Sequence, residues 1–249
     1  MTMQRHQMSL QRPPKVVMYL MIANVAIWVL FALFISGFGS RDAADAYVLL
    51  TLQPESSTFG LELWRLFSYG FLHELSGLMH IGFNMLALYF LGTPLAQRWG
   101  GKAFLRFYLI AMVGAGIFTA LVGLLLPTVF GVAVVGASGA IFALLAAFSM
   151  LFPTAELLLL FVIPVKARHV IWIAVAIDIV LFTTMTDYGV AIHTHMGGAI
   201  AGWLLVTGNW HPVRAWGRFR RRQARKNGPP KGGAGGLRSV EGGKPRYIN

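Results

Sequence analysis

The 249-residue chain is 56% hydrophobic and only 12% charged, with a mean hydropathy of +0.64, whereas soluble domains carry roughly 25% charged residues. A soluble globular protein is thereby excluded in favour of a polytopic membrane protein. The absence of cysteine rules out disulfides, thiol catalysis and cysteine-ligated metals. The net charge of +12 lies largely after the last apolar run, where it suits anionic lipid headgroups better than nucleic acid.

A bilayer core about 30 Å thick takes about 20 apolar residues per helix. Six apolar runs qualify as candidates, at about 16–36, 78–96, 103–126, 137–152, 169–186 and 190–208. The first follows Arg5, Arg12 and Lys15 but is longer than a signal-peptide core, and no convincing small-residue cleavage site follows, so it reads as an anchored span. Basic residues alternate with the connections. Nineteen lie on one side, among them Arg98, Lys102, Arg106, Lys166, Arg168 and the run from Arg214 to Arg246, and only Arg41 and Arg65 on the other. The positive-inside rule then puts both termini in the cytoplasm and the 37–77 loop outside.

The expected organisation is a cytoplasmic segment 1–15, a membrane domain 16–208 and a basic, Gly-rich, disordered tail 209–249. The 37–77 loop, with Trp64, Phe67, Tyr69 and Phe71, should fold and lie partly in the outer leaflet. No internal repeat of the transporter kind is present. The fourth run is short. Sixteen residues from Ala137 to Phe152 give about 24 Å of helix, and the uncharged approach from Thr128 to Gly136, between Pro127 and the helix, reads as chain dipping in from outside.

That geometry bears on Gly136-Ala137-Ser138-Gly139. One reading of Ser138 is a helix N-cap; the other is a nucleophile, submerged at a helix start whose free N–H groups can hold an oxyanion. His195, Gly198 and Gly202 share one face of the sixth run, and Gly139, Ala143 and Ala147 one face of the fourth. If these small-residue stripes meet, Ser138 and His195 come within reach; otherwise they only pack. His193 points off that face. In the second run, His80 and Asn84 are i, i+4 neighbours and form either a bundle-stabilising pair or two oxyanion donors. Asp178 in the fifth run reads as locally hydrogen-bonded or protonated rather than as a third catalytic member.

Together, Trp64-Arg65, His80 and Asn84 spaced as HxxxN, Gly136–Gly139 as GxSG, and His195 with Gly198 and Gly202 make the chain resemble the rhomboid family of intramembrane serine proteases. The resemblance covers about 16–208. It implies an all-α, six-transmembrane-helix bundle with a short buried fourth helix and a folded outer-leaflet loop after the first. It implies a serine endopeptidase in which Ser138 is the nucleophile and His195 the base, a dyad without an acidic partner. His80, Asn84 and the Ser138 backbone would form the oxyanion site, and Trp64 and Arg65 would anchor the outer loop. Phe142 stands where a tyrosine often stacks on the histidine, and Thr194 where alanine is usual. Transmembrane proteins would be the substrates, cut near the outer face, and neither metal nor cofactor is required. The compact plan and the lack of an Arg/Ser-rich transit segment point to a bacterial inner membrane. The alternative is a rhomboid-like protein that binds or escorts membrane proteins without cutting them.

Overall fold

The computed structural model describes residues 12–54, 61–159, 162–184 and 192–208. Helix α1 (Lys15–Phe31) starts after Pro14 and widens into a π-helical segment, Ala32–Gly37. It is apolar all round, and Tyr19, Ile22 and Leu30 are exposed as a lipid-facing surface requires. Gly39, at φ 64°, turns the chain, and Ser40 caps α2 (Arg41–Leu50) by accepting the Ala43 N–H at 3.2 Å. A short helix α3 (Arg65–Ser68) and one 3-10 turn, Tyr69–Phe71, follow.

Helices α4 (Leu78–Trp99) and α5 (Gly101–Leu125) are separated by Gly100 alone, at φ 79°, a conformation that costs glycine little. A single turn α6 (Pro127–Phe130) leads into irregular chain. There Val134 pairs with Leu52 through two backbone hydrogen bonds of 2.8 and 3.1 Å, tying the approach to the outer loop. Helix α7 (Ser138–Leu151) is central, with ten of its 14 residues buried; it packs against α4, α5, α8 and α9. Its small residues, Gly139, Ala140, Ala143, Ala146 and Ala147, allow that close packing. Helix α8 (Ala167–Thr184) buries only Ala167 and Asp178, and α9 (Ile192–Thr207) packs on α7 and α5.

Among the described residues, four helical stretches are long and apolar enough to cross a membrane: 15–37, 78–99, 101–125 and 167–184. The chain is an integral membrane protein. Among the described residues α7 and α9 are shorter, 14 and 16 residues, or about 21 and 24 Å. The fold is mostly helical, but the all-α expectation needs correcting. An antiparallel hairpin, β1 (Glu156–Leu159) and β2 (Ile163–Lys166), stands between α7 and α8, in register from Glu156 opposite Lys166 to Leu159 opposite Ile163. Pro164 cannot continue a helix, and the surrounding β-branched residues favour a strand. The tail 209–249 and residues 1–11 lie outside the described residues.

Candidate active site

The outer loop is held by side chains reaching main-chain carbonyls. Arg65, only 5% exposed, donates from Nη1 to the carbonyls of Val48 at 2.5 Å and Thr51 at 2.7 Å, and pairs through Nε with Glu62 at 2.5 Å. It thus satisfies carbonyls at the C-terminal end of α2, where a cation also suits the helix dipole. The Trp64 indole donates to Leu49 O at 3.1 Å and Ser68 to Leu50 O at 2.6 Å. Tyr69 is fully buried; its hydroxyl donates to Met112 O at 2.8 Å, and burial raises the phenol's pKa, keeping the donor protonated.

Tyr69 also fixes the start of α7, because its carbonyl accepts the Gly136 N–H at 3.0 Å. Gly136 has φ 125°, where an L side chain is strained, and a Cβ there would lie 2.9 Å from His80 Nε2 and 3.7 Å from Ser138 Oγ. Glycine is therefore demanded twice, and His80 and Ser138 flank the same spot. Ala137 occupies the N-cap position and no side chain caps the helix. Ser138 is the first helical residue, so its hydroxyl is not spent as the cap that a serine there first suggests. The first intrahelical bond runs from Ile141 N to Ala137 O, which leaves the amides of Ser138, Gly139 and Ala140 without intrahelical acceptors.

His80 lies at the start of α4, its ring 5.3 Å from that of His73 in an edge contact. One amide N–H of Asn84 turns back to the His80 carbonyl at 3.0 Å, leaving the second N–H for another acceptor. His73 is fully buried, and burial together with the neighbouring His80 imidazole lowers its pKa to about 3.

The small-residue stripes of α7 and α9 do meet. A methyl on Gly198 would fall on the Gly139 carbonyl, and one on Gly202 would come within 2.6 Å of Ala143 Cα. At this approach Thr194 is fully buried and its hydroxyl lies 2.8 Å from that of Thr119. Thr119 in turn donates to Ala115 O at 2.8 Å, so Thr194 is the donor of the first bond. His193 is buried against Phe130, ring centroids 4.9 Å apart.

His195 lies one turn before the Gly198 contact. Phe142 stacks on its ring with centroids 4.2 Å apart and 10° between planes. Its Nδ1 is 2.6 Å from Asp178 Oδ2, and no hydrogen bond joins it to Ser138 among the described residues. In place of a local hydrogen bond, the buried Asp178 side chain reaches across helices to the imidazole. Its sequence signal was a single acid in an otherwise apolar helix, which in lipid calls for a partner. Thr119 went unread and Tyr69 was read only as a loop aromatic, since their partners here are a second hydroxyl and main-chain carbonyls, which leave no spacing pattern.

A rhomboid-domain family model matches residues 60–211, which includes Trp64, His80, Ser138 and His195. The chain is 34% identical over 137 residues to Rhomboid protein 1, mitochondrial, of Saccharomyces cerevisiae, covering 51% of this chain and 38% of that one. It is 30% identical over 217 residues to RHOMBOID-like protein 12, mitochondrial, of Arabidopsis thaliana, covering 82% and 60%. It is 36% identical over 92 residues to Rhomboid protease GlpG of Serratia proteamaculans, covering 37% and 30%. The chain thus spans 38% and 60% of the length of the first two. With the family model matching more than half of the sequence, over the segment that carries the serine and the histidine, this integral membrane protein belongs to the rhomboid family.

Proposed function

We propose that this rhomboid is an intramembrane serine endopeptidase. The observation that supports the reading is the backbone contact of α9 on α7 at Gly198 and Gly139, the first lying one turn after the ring-stacked His195 and the second next to Ser138, an uncapped serine at a helix start. An ionisable side chain inside a bilayer is costly, which favours a functional role for the histidine.

In this reading His195 Nε2 takes the Ser138 hydroxyl proton as Oγ attacks the scissile carbonyl. The oxyanion develops against the free amides of the α7 first turn, with His80 and the second N–H of Asn84 as further donors. The intermediate collapses as His195 returns the proton to the leaving amine, and water repeats the sequence on the acyl-enzyme. The Ser138–His195 hydrogen bond forms when substrate fills the site, as catalytic hydrogen bonds often shorten only then. Substrates are transmembrane polypeptides that unwind locally near the outer face.

The reading retains six spans, with α7 and α9 as the short ones, and both termini on the cytoplasmic side, as the basic residues indicate. The basic cluster Arg218, Arg220, Arg221, Arg222, Arg225 and Lys226 would suit anionic headgroups. A bacterial inner membrane is the proposed location; because two relatives are named mitochondrial, fractionation of the native host is its direct test. For the chemistry, a fluorophosphonate probe should label the wild type, and neither Ser138→Ala nor His195→Ala. Equal labelling of wild type and His195→Ala would refute activation by the histidine.

A further inference from the structure

The dyad leaves one strong polar contact unused. Asp178 is the one buried residue in the middle of α8, flanked by Ile177, Ile179 and Val180, all of which are 45% exposed or more. An acid at this depth, on a helix otherwise turned to lipid, is costly unless paired. Its partner is the same His195 that the proposed chemistry needs, at 2.6 Å, with both side chains less than 15% exposed.

The chemistry of the pair is specific. A carboxylate accepts a proton donor, so Nδ1 carries the hydrogen and Nε2 keeps its lone pair. Phe142 on the ring face fixes the plane, and Asp178 fixes rotation within that plane and the tautomer. We propose that Asp178 is a positioning residue that makes this active site an Asp–His–Ser relay rather than a two-residue dyad. The inference rests on the protease reading above. During acyl transfer the imidazole holds the Ser138 proton on Nε2 while Nδ1–H stays bonded to the carboxylate. The carboxylate stabilises the imidazolium and takes no proton itself.

The bland alternative is an interhelical tie that only holds α8 against α9. The two differ in what a shape-preserving change does. In Asp178→Asn the amide N–H can donate to Nδ1, selecting the tautomer whose Nε2 carries hydrogen and cannot accept from Ser138. A tie would be largely preserved by that bond; a positioning residue would not.

The test measures kcat and KM on a single-span reporter in proteoliposomes, with thermal unfolding in detergent, for wild type, Ser138→Ala, Asp178→Asn and Asp178→Glu. The expected result is a fall in kcat of about tenfold or more for Asp178→Asn. KM should stay within about twofold and the unfolding temperature should be retained, with part of the loss recovered in Asp178→Glu. Wild-type kcat in Asp178→Asn, with Ser138→Ala inactive, would overturn this inference alone. So would losses in both Asp178 variants that track a lowered unfolding temperature. Undiminished cleavage by Ser138→Ala would instead overturn the protease reading, and this inference with it.

Discussion

Phe142 lies flat on the His195 imidazole, 4.2 Å between centroids and 10° between planes. The two residues sit on α7 and α9 near the glycine contact, so the stack both seals that end of the interface and limits the ring to one plane. An aromatic pair is worth about 0.5–1.5 kcal/mol beyond its buried area, which corresponds to a factor of about 2 to 12 in the population of the aligned ring. Phe142→Leu should therefore lower kcat on a reporter about three- to tenfold, and Phe142→Tyr should keep the wild-type rate. Equal rates for all three would show that the stack does not align the base.

The approach of α9 to α7 is so close that glycine is needed at the crossing. In Gly198→Ala the added methyl would meet the Gly139 carbonyl, a main-chain group that moves only with its helix. Overpacking of this kind costs about 1–3 kcal/mol, so the variant should unfold several degrees lower and lose activity. Gly82→Ala is the control, because a Cβ there meets nothing within 4 Å. It should be neutral or slightly stabilising, given alanine's higher helix propensity. Comparable destabilisation of both would place the small-residue effect outside the helix crossing.

His73 gives the outer loop a pH-dependent stability. Above about pH 6.5 it is neutral in both folded and unfolded chains. Below that the unfolded chain takes up a proton that the folded chain refuses until about pH 3, because the ring is buried beside His80. Its contribution is present above pH 6.5 and is lost as the pH falls toward 3, on the order of 1–2 kcal/mol by pH 5. Thermal unfolding in detergent should show a smaller drop from pH 7.5 to 5 for His73→Leu than for wild type. Parallel drops would assign the acid sensitivity to other groups.

Hydropathy alone located the helices to within a few residues, because lipid demands long apolar runs and little else forms them. The stripes at Gly139 and Gly198 were legible for a similar reason: close helix approach leaves few residue types to choose from. Asp178 was visible as an oddity and as a conceivable third member beside His195, but nothing in the sequence favoured that pairing over a local bond. The register between α8 and α9 depends on a connection whose path no periodicity encodes. The hairpin after α7 was hidden inside an apolar run, where a strand and a buried helix look alike until Pro164 is weighed. The grip of Arg65 on Val48 and Thr51 left no pattern either, since main-chain carbonyls are the same in every sequence.

The most direct test of the central claim is cleavage of a single-span reporter by purified wild type and Ser138→Ala in reconstituted membranes. The account predicts a cut in the outer part of the reporter span by wild type, and a rate at least about a thousandfold lower for Ser138→Ala. Equal cleavage by the two would contradict the serine mechanism. Binding of the reporter by both with cleavage by neither would contradict the protease reading and favour a rhomboid that escorts membrane proteins without cutting them.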